Sequence, residues 1–126
     1  MLTISIYDGE YAGDRDALTH VCDIEGSVEP HDRPPFSVLE EALRVLEMCE
    51  ERYSTPPLSG TGFTVFIGRK TATGVTPLAR LDGYARQGYA SARVVGPGLR
   101  WDTERVYCAP GDDAVTIVRK LLEPSR

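Results

Sequence analysis

One amphipathic segment, residues 37–53, most constrains the fold of this chain. At 100° per residue its apolar side chains fall within a single arc. The charged side chains outside that arc are Glu40, Glu41, Arg44, Glu47 and Glu51. Ser37 and Glu40 have the spacing of a capping box, and Pro56-Pro57 follows the segment. The pattern predicts a helix over about residues 37–53 with an apolar face on the core and an acidic face toward solvent.

Segments with a period of two lie on both sides of this helix. Leu2, Ile4 and Ile6 alternate with more polar neighbours, which predicts a first strand. Residues 18–24 predict a second, antiparallel strand, and residues 62–68 a central strand with apolar groups on both faces. Further strands are predicted at 76–81, 84–95 and 99–108, with a turn at Asp82-Gly83. A last helix, about 112–123, is predicted to be capped by Asp112 or Asp113.

This order of elements predicts an α+β fold. The 126 residues and 41% hydrophobic content suit one domain, spanning 1–126, with a core that needs no disulfides. We expect two layers: an antiparallel or mixed sheet of about five to six strands, and two helices (about 37–53 and 112–123) packed on one of its faces. The strand order is not determined by these patterns.

Charge is distributed unevenly along the chain. Residues 1–53 carry 13 acidic residues and four arginines, a balance of −9, whereas residues 69–106 carry a balance of +4. A surface of one sign speeds association with an oppositely charged partner. The same asymmetry also arises when an acidic half packs beside a basic half within one fold.

Several classes of protein are disfavoured by composition. Three cysteines without a C-x-x-C pair argue against a disulfide framework and against a zinc site, so we expect reduced thiols, a cytoplasmic location and no metal or other cofactor. No apolar run approaches the roughly 20 residues that span a bilayer, so we expect no membrane partner. Glycine-bearing stretches at 59–62 and 71–74 lie beside strands and are read as turns, not phosphate loops.

Candidates for catalysis are few. His20 and Cys22 are two residues apart in a predicted strand, where they would share a face and the histidine could activate the thiol. Glu50 falls among the leucines of the helical arc, and a carboxylate there must be paired, protonated, at the rim or functional. His31 lies in a proline-rich loop, and Cys108 precedes two aspartates that oppose a thiolate. Whether the protein is an enzyme stays open.

Arginine and tyrosine alternate in the central strands. The side chains of interest are Arg80, Tyr84, Arg86, Tyr89 and Arg93, with Trp101 on a neighbouring strand. This composition suits a sheet face that binds an anionic ligand, nucleic acid or a protein. The pI near 5.0 argues against nucleic acid.

These features favour a non-catalytic protein-binding module of the inhibitor, immunity or adaptor type. Its acidic surface, Glu40, Glu41, Glu47 and Glu51, would bind a basic partner protein. A small cytoplasmic enzyme using His20, Cys22 or Glu50 is one alternative. Binding of an anionic ligand or nucleic acid through the arginine- and tyrosine-rich strands is the other.

Overall fold

The computed structural model describes residues 1–27, 36–50, 62–84, 88–96, 99–109 and 111–123. Within these ranges, only the backbone is described at 36, 37, 49, 50, 84, 96 and 99–101. The strands are β1 (Leu2–Asp8), β2 (Thr19–Gly26), β3 (Phe63–Thr71), β4 (Gly74–Tyr84), β5 (Tyr89–Gly96), β6 (Leu99–Asp102) and β7 (Val106–Tyr107). The helices are α1 (Phe36–Glu50) and α2 (Ala114–Leu122), and a short 3-10 helix covers Arg15–Ala17.

Six strands form one antiparallel sheet in the order β2-β1-β3-β4-β5-β6. The short strand β7 pairs separately with β5. The predicted antiparallel pairing of the first two strands and the central position of the third are confirmed. The predicted α+β class, with five to six strands and two helices, is confirmed as well.

The core lies between one face of the sheet and the two helices. Leu2, Ile4 and Ile6 are buried, whereas the residues between them are partly exposed. Helix α1 packs on β1 and β2, α2 packs on β5 and β7, and the helices pack on each other. We call the opposite side of the sheet the open face; it carries Thr3, Ser5 and Tyr7 on β1, since alternate residues point to opposite sides.

Two aspartates directly precede helix α2, and they have different roles. Asp113 is the N-cap, and its carboxylate accepts a hydrogen bond of 2.9 Å from the backbone N–H of Thr116. Asp112 instead accepts a 2.7 Å hydrogen bond from Lys120 Nζ, which is the main reason that the pKa of Asp112 lies below its ordinary value. The prediction that one of the two caps the helix is confirmed for Asp113.

The predicted turn at Asp82-Gly83 is wrong, because β4 continues through both residues to Tyr84. Gly83 pairs with Phe63 of β3, and a Cβ on Gly83 would lie 1.9 Å from two atoms of the Phe63 ring. The glycine therefore makes room for a buried ring within the sheet. The turn that precedes β4 is at 72–73, and Gly74 has a φ of +142°, a conformation that side chains disfavour.

Two other predicted boundaries differ. The single strand expected over 99–108 is two strands, β6 and β7, with three residues between them. Helix α1 begins one residue earlier than predicted, and residues 51–53 of the predicted helix are outside the described residues. No helix in the described ranges has the length and apolar character needed to span a membrane.

Candidate functional site

The acidic side of α1 is less available than the sequence predicts. Glu41 is 3% exposed, and its carboxylate forms an ion pair of 2.8 Å with Arg69 of β3. The expectation that Glu41 faces solvent is therefore wrong, because the sheet covers that flank of the helix. Glu47 is exposed and lies 3.6 Å from Arg119 of α2. Glu40 is partly exposed, and Glu51 lies outside the described residues.

Other acidic side chains are exposed at the end of the sheet. Strand β2 is one of the two end strands of the sheet, and its only charged side chains other than a histidine are Asp23 and Glu25. Both are exposed and lie on the open face, opposite Ser5 and Thr3 of β1. Glu25 is 3.5 Å from Lys70 Nζ, a loose exposed pair that contributes little energy.

A bulge in β2 separates the proposed histidine and thiol pair. Cys22 lies opposite Ile6, but His20 lies opposite Tyr7, so Val21 is an extra residue in the strand. Cys22 therefore packs toward the core and His20 toward the open face. The expectation that the two side chains share a face is wrong, because the bulge breaks the alternation on which it depended.

His20 has a carboxylate partner on the open face. Its Nε2 lies 3.0 Å from Asp23 Oδ1, and its ring packs edge-on against Tyr7 at 5.2 Å. Hydrogen bonds from His20 and then from Ser5 lower the pKa of Asp23 below its ordinary value. The two side chains thus form an exposed hydrogen-bonded pair beside an aromatic ring.

The remaining catalytic candidates form no cluster in the part of the chain that the structure describes. Cys108 is buried, and the side chain of Glu50 and all of His31 are outside the described residues. In the described ranges no group of three or more histidine, cysteine or acidic side chains could hold a metal ion.

The arginines of the central strands are paired with acids of the same sheet. Arg80 Nε is 3.0 Å from Asp82, and Arg93 Nε is 2.9 Å from Asp102. Arg80 and Arg93 are Cα partners and lie on the open face, as the sequence suggests. Tyr89 lies under Arg105, whose Cζ is 4.5 Å from the ring centroid. The side chains of Tyr84 and Trp101, and all of Arg86, are outside the described residues.

A cluster that sequence reasoning missed lies farther along the same face. Phe66 of β3 contacts Tyr7 and Tyr11 edge-on, at 5.6 and 5.5 Å between ring centroids. The guanidinium of Arg15 lies 4.4 Å from the Phe66 centroid, and Arg15 Nε donates a hydrogen bond of 3.0 Å to the Tyr7 hydroxyl. These residues are up to 59 positions apart, so no local pattern indicates that they meet. The only available signal was the alternation of Phe63 to Ile67, which put an aromatic ring on each face of β3.

Next to this cluster lies a pocket of about 290 Å³. Its walls include Thr3 and Ser5 of β1, Gly68 of β3, and Val75 and Pro77 of β4, together with Tyr11, Arg15 and Phe66. Gly68 lies beside a bulge in β4, where Leu78 is an extra residue, and a Cβ on Gly68 would lie 2.5 Å from a methyl carbon of Val75. The absence of a side chain at Gly68 therefore lets Val75 pack on the strand.

Comparison of the chain with models of protein families, with curated proteins and with solved structures gives no match.

Proposed function

We propose that this protein is a non-catalytic binding module that holds a basic segment of a partner protein at the outer edge of β2. One observation carries the proposal: β2 is an end strand of the sheet, and apart from a histidine its charged side chains are two exposed carboxylates, Asp23 and Glu25. Among the described residues no strand pairs with its outer side. The backbone N–H and C=O groups on that side could therefore pair with an added strand, a common mode of peptide recognition.

The chemistry of the partner is suggested by the spacing of the acids. Asp23 and Glu25 are two residues apart on one face, which separates them by about 7 Å along the strand. An added strand with lysine or arginine at alternate positions would place a cation opposite each carboxylate. Cross-strand pairs of opposite charge favour this register over a slipped one.

Three more acids support the same surface. Glu10, Asp14 and Asp16 are exposed in the connection between β1 and β2. Their negative potential would steer a basic partner toward this end of the sheet and make association faster at low salt. An inhibitor, immunity or adaptor role would suit such binding. Three cysteines without a C-x-x-C pair are compatible with the cytoplasmic location that belongs to this proposal.

The edge of β2 is a better candidate than the acidic side of α1. Glu41 is buried and paired with Arg69, so it cannot meet a partner without breaking that ion pair. Glu47 and Glu25 each have a loose exposed partner, Arg119 at 3.6 Å and Lys70 at 3.5 Å, so the buried Glu41 is what distinguishes the two surfaces. The helix therefore offers fewer available carboxylates than its sequence suggests.

A pair of charge reversals tests which surface binds. The edge variant is Asp23→Lys/Glu25→Lys, and the matched control is Glu40→Lys/Glu47→Lys on α1. Each reversal adds two charges, so both variants carry −1 in place of the −5 of the natural chain. Because net charge is equal, any difference between them reports the location of the surface.

The assay is affinity capture from the native host at low ionic strength, with folding of each variant checked by circular dichroism. We expect the edge variant to lose the partner that the natural chain captures, and the control to keep it. We also expect capture by the natural chain to weaken as salt is added. Loss only in the Glu40→Lys/Glu47→Lys variant would refute the edge proposal and assign binding to α1. Unchanged capture by both variants would refute an acidic binding surface at either place.

A further inference from the structure

We propose that the pocket on the open face is a second, separate binding site, and that it binds a small aromatic carboxylate through Arg15. Nothing in the proposed protein-binding role requires a pocket, since the edge of β2 binds through its outer backbone and exposed acids. The pocket is lined instead by the aromatic and arginine cluster and by apolar groups of β4.

Arg15 differs from three other cations of the open face. Arg80, Arg93 and Lys70 each have a carboxylate within 3.5 Å. In the described part of the chain Arg15 forms no ion pair; Asp23 is close enough to feel its charge but is hydrogen-bonded by His20 and Ser5. Its guanidinium is held by the hydrogen bond from Nε to the Tyr7 hydroxyl and by its contact with the ring of Phe66.

This arrangement leaves the two terminal amino groups of Arg15 for a ligand. A guanidinium anchored through Nε and stacked on a ring has lost much of its rotational freedom before a ligand arrives. Its remaining N–H donors have the planar fork that matches a carboxylate with two parallel hydrogen bonds. Because the anchor is the neutral hydroxyl of Tyr7, the positive charge of Arg15 is not neutralised there.

The other walls suit an aromatic body. Val75 and Pro77 are apolar, and Tyr11 and Phe66 add aromatic surface to the wall, although Arg80 lies over the ring of Tyr11 and Arg15 over that of Phe66. A cavity of about 150 Å³ accommodates benzene, so the 290 Å³ of this pocket accommodates one ring with a short acidic substituent. It lies below the usual range of pockets for drug-sized ligands, which begins at about 300 Å³.

A hydroxyl group of β1, that of Thr3, completes the site, because the Ser5 hydroxyl is already hydrogen-bonded to Asp23. Ser5 and Thr3 both belong to the wall formed by β1. The Thr3 hydroxyl is buried and has no hydrogen-bond partner among the described residues. A polar atom in this position favours a ligand with a polar substituent over a plain hydrocarbon, since buried hydroxyls are costly when unpaired.

The test is a titration of the full ¹⁵N-labelled chain with benzoate and with phenylacetate, followed by NMR. We expect saturable shifts of the backbone amide signals of Ser5, Gly68 and Val75. Arg15→Gln should weaken binding by about tenfold or more, because it removes a charge-assisted pair. Arg93→Gln is the matched control: it removes the same charge from the same face but belongs to a paired arginine outside the pocket, and it should bind as the natural chain does.

Four outcomes would overturn the proposal. The first is the absence of saturable shifts with either carboxylate. The second is equal affinity in Arg15→Gln and in the natural chain. The third is equal binding of benzyl alcohol and benzoate, which would mean that charge is not used. The fourth is tighter binding of phenyl phosphate than of benzoate, which would assign the site to a phosphoryl group.

A second variant keeps the test decisive if Arg15→Gln alters the amide spectrum of the free protein. Arg15→Lys keeps the charge but loses the planar fork, so we expect it to fold and to bind benzoate several-fold more weakly. Affinity equal to that of the natural chain would overturn the two-bond assignment.

Discussion

Replacing Gly83 by alanine should destabilise this protein through one contact, the ring of Phe63. An alanine Cβ at this position would lie 1.9 Å from ring atoms Cε1 and Cζ and 2.7 Å from Cδ1. Carbon atoms in contact are normally about 3.5–4.0 Å apart. Because Phe63 is 2% exposed, its ring has no open space into which it could move.

The magnitude follows from two opposing effects. An extra carbon in a packed core costs about 1–3 kcal/mol. Alanine also restricts the unfolded chain, which offsets about 0.4–1 kcal/mol where the backbone tolerates it. The overlap here is severe and the φ of Gly83 is not positive. We therefore expect Gly83→Ala to lower the free energy of unfolding by about 2 kcal/mol.

Urea denaturation of six proteins measures whether Phe63 is the cause: the natural chain, Phe63→Val and Phe66→Val, each with and without Gly83→Ala. Phe63→Val removes every ring atom that the new Cβ would meet, so Gly83→Ala should be neutral or slightly stabilising in that background. Phe66→Val is the control, since Phe66 is on the same strand but points to the open face. In the Phe66→Val background, Gly83→Ala should still lower the free energy of unfolding by about 2 kcal/mol.

One outcome of this double-mutant cycle would refute the role of Phe63. Costs that agree within about 0.5 kcal/mol in the natural and Phe63→Val backgrounds are additive. Additive costs would mean that the ring of Phe63 is not the reason that alanine is unfavourable at position 83.

Two further predictions concern charged groups. The pKa of Asp112 is lowered in the folded protein by Lys120, so Asp112 stabilises the fold above its ordinary pKa of 3.8 and loses this contribution as pH falls through its folded value. Urea denaturation from pH 6 to pH 2 should therefore show the natural chain more stable than Asp112→Asn at pH 6 and the difference shrinking below about pH 4; a constant difference would contradict this. Arg69→Met should lower the free energy of unfolding by about 1–3 kcal/mol, because Glu41 is buried beside it. Arg119→Met, which affects an exposed pair, should change it by less than about 1 kcal/mol, and equal effects would refute the distinction.

Local patterns were sufficient for most elements of this fold, although not for the end of β4 or for the division between β6 and β7. The alternation of Leu2, Ile4 and Ile6 and the cap at Asp113 depend on residues that are near one another in sequence. Hydrogen bonds and side-chain periodicities of a helix or strand act over a few residues, so they can be read without the fold. The fold class follows from their order.

Local patterns failed where a distant segment decides the environment. Glu41 lies on the polar arc of α1, but Arg69 of β3 and the sheet cover that flank. His20 and Cys22 have the spacing of a shared face, but the pairing of β2 with β1 contains a bulge. An aspartate followed by a glycine is typical of a turn. At Gly83, however, the absence of a side chain leaves room for the ring of Phe63.

The candidate sites, too, were determined partly by the sequence and partly by the tertiary structure. The sequence by itself determined an acidic first half, an arginine- and tyrosine-rich centre and the two-layer α+β class. Only the tertiary structure decided that the acids of β2 lie on a sheet edge and that Arg15, Tyr7 and Phe66 meet beside a pocket. The physical reason is that strand order and register bring together side chains from distant parts of the chain, and neither is encoded in the period of any single segment.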